Sequence, residues 1–327
     1  MNIGSKPVHI LSGFLGTGKT TLLNQLLERP DFSNTLVIIN EFGEVPLDHH
    51  LIESNEETIV ELSNGCLCCS IRGELVDTLL SVDTETFDRI IVETTGIADP
   101  LPIHQALTVQ PILARGLRAG SIITVFDKVN GKSHLADHAE ANQQLALADI
   151  VYLSMLDADG DMQAAETLVR GYNQSTALVT DPAEIRAEQI DGAISKELEN
   201  NNSGHADEYV SIVLQTEKPQ PVSAVIGFLN YLANRFGKSL LRIKGFANCT
   251  EHPAGPVLIQ MSGPIVHDPV KLQAWPDGQP QTQLIVIGKG LDITMVKSLF
   301  DSFSDTAAVD TPDRAAMTEN PLAIPGF

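Results

Sequence analysis

Two short runs in this chain carry residue types that do chemistry. Residues 13–20 read Gly-Phe-Leu-Gly-Thr-Gly-Lys-Thr, a glycine-rich pattern whose backbone N–H groups converge on phosphate oxygens at a helix N-terminus. The apolar residues 8–11 precede it and the helix-forming residues 21–28 follow it. A strand, a tight turn and a helix in that order bind a nucleoside triphosphate. Gly13, Gly16, Thr17 and Gly18 shape the cradle, Lys19 bridges the outer phosphates and the Thr20 hydroxyl reaches Mg²⁺. The second run is Asn64-Gly65-Cys66-Leu67-Cys68-Cys69. Cys66, Cys68 and Cys69 offer three soft ligands within four residues, suited to Zn²⁺ or another thiophilic divalent ion. No second Cys/His pair follows at a fixed spacing, so a fourth ligand comes from elsewhere or the position stays open, as a transferable metal needs. Glu41 or Glu44, in Asn40-Glu41-Phe42-Gly43-Glu44, could complete the sphere. Redox-active thiols and inert packed cysteines are the alternatives. His49-His50, and His134 with His138 four residues apart on an expected helix, are lesser metal candidates.

Further along, Arg89-Ile90-Ile91-Val92-Glu93 is an apolar strand ending in a carboxylate, followed by Thr94-Thr95-Gly96. Glu93 at a strand tip beside the phosphate loop is placed to hold Mg²⁺ directly or through water. Gly96 lets a backbone N–H approach a γ-phosphate. Asp99 either orients this segment or caps the next helix. Base choice rests on Ser154-Met155-Leu156-Asp157, after an apolar run at 150–153. GTPases usually carry Asn/Thr-Lys-x-Asp there, the Asp gripping the guanine edge and the Lys packing over the base. Asp157 is in register, whereas Met155 stands where the lysine would be and offers a thioether to the purine face. Guanine is the expected base.

The elements that must position these residues follow an α/β rhythm. Strands are expected at 8–11, 35–39, 58–62, 89–93, 122–126, 150–153 and 177–179. Helices are expected at 22–28, 72–80, 135–148 and 162–172. A domain of residues 1–200 results, with ligands at the carboxyl ends of its strands. Residues 201–208 belong to a polar, Asn- and Gly-containing linker. The rhythm then changes to strands at 209–215, 240–246, 257–260 and 283–287, with helices at 223–236 and 292–303. That makes a smaller α+β domain over 209–305, followed by a loose Ala-, Thr- and Pro-rich tail at 306–327. Cys249, apart from the other three cysteines, reads as a small buried hydrophobe.

Composition narrows the partners. The 327 residues are 43% apolar and 19% charged, with 21 basic against 42 acidic side chains and a net charge of −21. So acidic a surface repels phosphate backbones, which argues against nucleic acid. No apolar stretch approaches the ~20 residues that span a bilayer, and the N-terminus lacks the basic-then-apolar pattern of a signal peptide. A cytoplasmic protein with no membrane association is expected, in which clustered thiols serve metal or redox chemistry rather than disulfides.

With the phosphate loop, Asn-Glu-Phe-Gly-Glu, Gly-Cys-x-Cys-Cys and Glu-Thr-Thr-Gly-x-Ala-Asp-Pro in this order, the sequence resembles the CobW-like family of metal-handling GTPases over nearly its whole length. The resemblance implies a SIMIBI-type P-loop NTPase domain, with a mostly parallel sheet and helices on both faces, joined to a smaller α+β domain. It implies a metallochaperone or metal-insertion factor that uses Mg-GTP, is often associated with zinc, and serves a client metalloprotein. By motif match Cys66, Cys68 and Cys69 become the metal ligands with Glu41 as a neighbour. Gly16, Gly18, Lys19, Thr20 and Thr21 hold phosphate and Mg²⁺, Glu93 and Gly96 form the second switch, and Asp157 reads guanine.

A GTP-dependent metal chaperone is therefore the leading reading, with slow intrinsic hydrolysis because no catalytic Gln or Arg finger is evident beyond Arg72 or a partner. Met155 favours one alternative, an ATP-using small-molecule kinase or ATPase on the same scaffold. Another is a nucleotide-gated, metal-sensing regulatory module with negligible turnover. A homodimer is an open assembly state.

Overall fold

The computed structural model describes residues 5–39, 59–61, 70–108, 112, 115–156, 158–174, 176–191, 209–275 and 280–305. The near-continuous apolar runs, buried on both faces, become the interior of a parallel sheet. Its strands are β1 (Lys6–Gly13), β2 (Thr35–Ile39), β3 (Ile59–Glu61), β4 (Arg89–Glu93), β5 (Leu117–Asp127), β6 (Ile150–Ser154) and β7 (Ala177–Val179). They lie in the order β3-β2-β4-β1-β5-β6-β7, with every neighbouring pair parallel. The register sets Leu11 beside Glu93 and Gly13 beside Val125. The phosphate loop and the acidic tip of β4 thus leave the same edge of the sheet.

Helices cover both faces. On one, Val8, Ile10, Ile38 and Val92 meet Leu75 and Leu79 of α2 (Ser70–Ser81), Ile103 of α3 (Pro100–Ala106) and Ala146 and Leu147 of α5 (Ala139–Leu147). On the other, Leu11, Val37, Ile91 and Val125 pack on Leu22, Leu23 and Leu26 of α1 (Lys19–Leu27) and on Ile190 of α7 (Ala187–Asp191). Each fully buried leucine there contributes about 1.5–3 kcal/mol. A further cluster joins Phe126, Val151 and Leu153 to α4 (Gly131–Asp137), α5 and α6 (Met162–Tyr172).

The apolar pattern over 135–148 suggests one helix, but the chain makes two. His138 adopts an extended φ of −134° and ψ of 117°, ending α4 and opening α5. Its ring stacks on Phe14 at a centroid distance of 4.5 Å, with His134 on the same ring at 4.6 Å. The pair therefore flanks an aromatic of the phosphate loop rather than forming one continuous helical face.

The second sheet is antiparallel, in the order β11-β10-β9-β13-β8, with β12 added on β10. It comprises β8 (Tyr209–Thr216), β9 (Leu240–Ala247), β10 (Val257–Ser262), β11 (Ile265–Val266), β12 (Val270–Lys271) and β13 (Thr282–Lys289). One face carries α8 (Val222–Phe236) and α9 (Ile293–Asp305), through Phe228, Leu232, Val296 and Phe300. The opposite face presents Tyr209, Leu241, Ile285 and Ile287 to the core shared with α3 and α5. Cys249 is buried and free, its thiol pushed up to about 11 by burial and then by Glu251, as befits a packed hydrophobe. No described helix is long and apolar enough to cross a membrane.

Candidate functional site

The site is assembled where β1, β4, β5 and β6 end. β1 turns at Gly13, whose φ of 142° is open to glycine. A Cβ there would also stand 2.5 Å from the Val125 carbonyl oxygen. Gly16 and Gly18 continue the turn at φ 72° and 93°, and Gly18 is the residue before α1, accepting from Leu22 N–H at 3.0 Å. The turn leaves the first-turn N–H groups of α1 facing one point, with the positive end of the helix dipole behind them. Thr17 is buried, and its hydroxyl donates to Phe14 O at 2.9 Å, bracing the loop from inside. Lys19 is nine-tenths buried, and its ammonium donates to Gly13 O at 3.0 Å and Phe14 O at 3.2 Å.

Thr20 and Glu93, 73 positions apart, meet in a 2.7 Å hydrogen bond from the hydroxyl to Oε1. Glu93 is 3% exposed. A hydroxyl and a carboxylate with only oxygen donors, beside a lysine ammonium and a helix N-terminus, fit a hard divalent cation such as Mg²⁺ between phosphates. The chain leaves β4 through Thr94, whose N–H and Oγ1 both donate to Leu11 O, at 3.0 and 3.2 Å. Gly96 then lies directly against the phosphate loop, where a Cβ would fall 2.6 Å from the Leu15 backbone nitrogen. Only glycine lets these two segments touch.

Asp99 resolves as a helix cap: it accepts from Leu101 N–H at 2.9 Å and precedes α3. Burial raises its pKa, offset in part by that same hydrogen bond. Two residues absent from the sequence reading complete the frame. Gln144 of α5, 1% exposed, donates to Gly96 O at 3.1 Å and Ala98 O at 2.9 Å, fixing the segment after Glu93. Asp127, at the tip of β5, accepts from Val129 N–H, Asn130 N–H and Asn130 Nδ2 at 2.7, 3.0 and 2.8 Å. Neither stands in a motif, and the partners of Gln144 are 46 and 48 positions away. At the end of β6, Met155 takes a φ of 58° and is 43% exposed.

The structure thus brings Gly13, Gly16, Thr17, Gly18, Lys19, Thr20, Thr21, Glu93 and Gly96 to one edge of the sheet. Glu41, Cys66, Cys68, Cys69 and Asp157 lie outside the described residues. Among the described residues no group of three or more His, Cys, Asp and Glu side chains could hold a metal ion.

A parallel sheet with a glycine-shaped phosphate loop and an acidic strand tip beside it defines a P-loop nucleotide-binding protein. Residues 7–180 match the model of the CobW/HypB/UreG nucleotide-binding domain, and residues 209–304 match that of the cobalamin synthesis protein cobW C-terminal domain. The chain belongs to this CobW family of P-loop proteins. It is 28% identical over 317 residues to the zinc chaperone YjiA of Escherichia coli strain K12, across 90% of this chain and 97% of that one. It is 36% identical over 160 residues to the zinc-regulated GTPase metalloprotein activator 1 of Schizosaccharomyces pombe, across 46% of this chain and 39% of that one. The crystal structure of Zn(II)-bound YjiA GTPase from E. coli shares its fold, with a TM-score of 0.67 at 24% identity over 93% of this chain and 99% of that one.

Proposed function

We propose that this chain is a GTP-dependent metallochaperone. It binds Mg-GTP at the phosphate loop, carries a thiophilic divalent metal, zinc first, on Cys66, Cys68 and Cys69 with Glu41 as neighbour, and passes that metal to a client metalloprotein. The observation that carries the nucleotide half is the Thr20–Glu93 hydrogen bond at the mouth of the loop that holds Lys19. The metal half rests on the three-thiol spacing and on relatives named zinc chaperone and zinc-regulated GTPase metalloprotein activator.

The chain is a GTPase, and its own residues divide the work. Gly13, Gly16, Thr17, Gly18 and Thr21 form the cradle, and Lys19 turns its ammonium from two loop carbonyls to the outer phosphates. Thr20 and Glu93 hold Mg²⁺, which when bound neutralises charge developing on the transferred phosphoryl group. Gly96, backed against Leu15, is placed to sense the γ-phosphate through its N–H, while Gln144 tethers the same segment from α5. Loading and hydrolysis reset this segment and, with it, the cysteine loop that precedes α2. Asp157 reads the guanine edge.

Leu15, Ile97, Val129 and Met155 stand exposed where the parallel strands end. The working division is a GTPase domain at 1–200, a linker at 201–208, a C-terminal domain at 209–305 and a tail at 306–327. It is supported by the two family matches, which stop at 180 and resume at 209.

Replacing Cys66, Cys68 and Cys69 by serine together tests the metal half. Tight zinc binding is expected to vanish while GTP hydrolysis persists, and unchanged zinc affinity would overturn the assignment. Met155 in place of a base-stacking lysine favours a second reading, an ATP-using kinase or ATPase. A competition panel of nucleotides decides, since that reading requires ATP to displace GTP, and its kinase form also requires phosphoryl transfer to an acceptor.

A further inference from the structure

The lysine that a GTPase places over the base is Met155 in this chain, yet a lysine enters the same loop from the neighbouring strand. Lys128 follows the last residue of β5, and its backbone N–H donates to Ser154 O at 3.4 Å, where β6 gives way to the loop. Its side chain then runs past Gly160, where a Cβ would lie 3.2 Å from Lys128 Cε. The ammonium donates to Leu156 O at 2.9 Å and Ala158 O at 2.8 Å. These carbonyls belong to the two residues that flank position 157.

The loop needs such a brace. Met155 sits at a φ of 58°, a left-handed conformation that costs a side-chain-bearing residue about 1 kcal/mol. Its carbonyl is held by one turn hydrogen bond, from Ala158 N–H at 3.2 Å, and Met155 and Leu156 are both exposed. Among the described residues, Lys128 is the side chain shown donating to the carbonyls of 156 and 158. A carboxylate that distinguishes guanine from adenine must be fixed to within a few tenths of an ångström, because both its oxygens serve the same base edge.

We propose that Lys128 is a positioning residue for base selection, bracing the loop after β6 through the carbonyls of Leu156 and Ala158. The proposal rests on the reading of Asp157 as the guanine-gripping residue. It assigns to Lys128 a part in choosing guanine over adenine and no part in phosphoryl transfer.

The test compares the full chain with Lys128→Met, which keeps the apolar stem on Gly160 and removes the cation, and with Lys128→Arg, which keeps the cation. Dissociation constants for Mg-GTP and Mg-ATP are measured by calorimetry, alongside KM and kcat for GTP hydrolysis. Losing two charge-assisted hydrogen bonds predicts about a tenfold weaker GTP affinity for Lys128→Met. ATP affinity and kcat stay unchanged, KM rises in step, and Lys128→Arg restores most of the preference. If Lys128→Met does not fold, Lys128→Gln carries the same prediction. An unchanged GTP/ATP ratio in a wild-type chain that prefers GTP would overturn the role of Lys128, as would equal weakening of both nucleotides. A wild-type chain that prefers ATP would instead overturn the guanine reading beneath it.

Discussion

At the ends of the parallel strands, the polar groups that matter are backbone N–H groups and carbonyls, presented by glycine turns within eight consecutive residues. At the seam between the two sheets they are buried charges from residues far apart in the chain. Asp149 accepts from Arg242 at 2.9 Å and Lys244 at 2.7 Å, 93 and 95 positions away, and from Ile122 N–H at 2.8 Å. Arg242 also donates to Leu147 O at 2.6 Å. Beside it His104 Nδ1 lies 2.6 Å from Ser262 Oγ, which lies 3.0 Å from His267 Nε2. The first region is local and shaped to receive a ligand, whereas the second is long-range and gathers two cations on one shared carboxylate. The difference separates a place that does chemistry from one that fixes a second domain.

The same two helices serve both regions. α5 holds Gly96 and Ala98 through Gln144 and offers its last carbonyl to Arg242. α3 opens at Asp99 and docks on the second sheet through His104 and Gln105. A shift in the segment after Glu93 would therefore be felt at the seam.

The sharpest way to break the comparison is Asp149→Ala. It leaves two buried cations without their carboxylate and should lower unfolding free energy by about 3–5 kcal/mol in denaturant titrations. A loss well under ~1 kcal/mol would mean that the seam is not a buried network. Lys19→Ala should do the reverse, weakening GTP about 100-fold through lost charge-assisted contacts while leaving stability within ~1 kcal/mol. Gln144→Ala sits between the regions. By leaving the Gly96 and Ala98 carbonyls unpaired it should cost about 1–2 kcal/mol and speed hydrogen exchange over α3.

The smallest effect is one of pH. Burial, then Arg242, lowers the pKa of His104 well below the usual 6.5 and that of His267 to about 4. The unfolded imidazoles take protons near 6.5 and the folded ones resist, so stability is complete above that value and falls as pH drops toward about 4. Burial works to raise the pKa of Asp149, but Arg242 and Lys244 outweigh it and hold the carboxyl below its usual range. Its contribution is lost only below about 3.9. His267→Asn should flatten the decline in denaturation midpoints above that point, and an unaltered slope would place the titrating group elsewhere.

This contrast also explains what was legible in the sequence. Strands 35–39, 89–93 and 177–179 and helix 162–172 fall where their patterns place them, because burial on a fixed face writes itself into residue period. The phosphate loop was legible because its geometry is encoded in consecutive residues. The break at His138 was not, since it answers to Phe14, a ring 124 positions earlier. Gln144, Asp149 and Arg242 were invisible for the same reason: no local pattern marks a partner supplied by another part of the fold. Lys128 belongs with them, since its carbonyl partners are 28 and 30 positions away.

The central claim is that nucleotide and metal sites share a switch. A competitive zinc titration of the reduced protein, with and without Mg²⁺ and a non-hydrolysable GTP analogue, addresses it directly. The account predicts that zinc affinity moves by about tenfold or more between the two conditions. An affinity unchanged by the nucleotide would contradict it and leave the cysteine loop a static metal or thiol site.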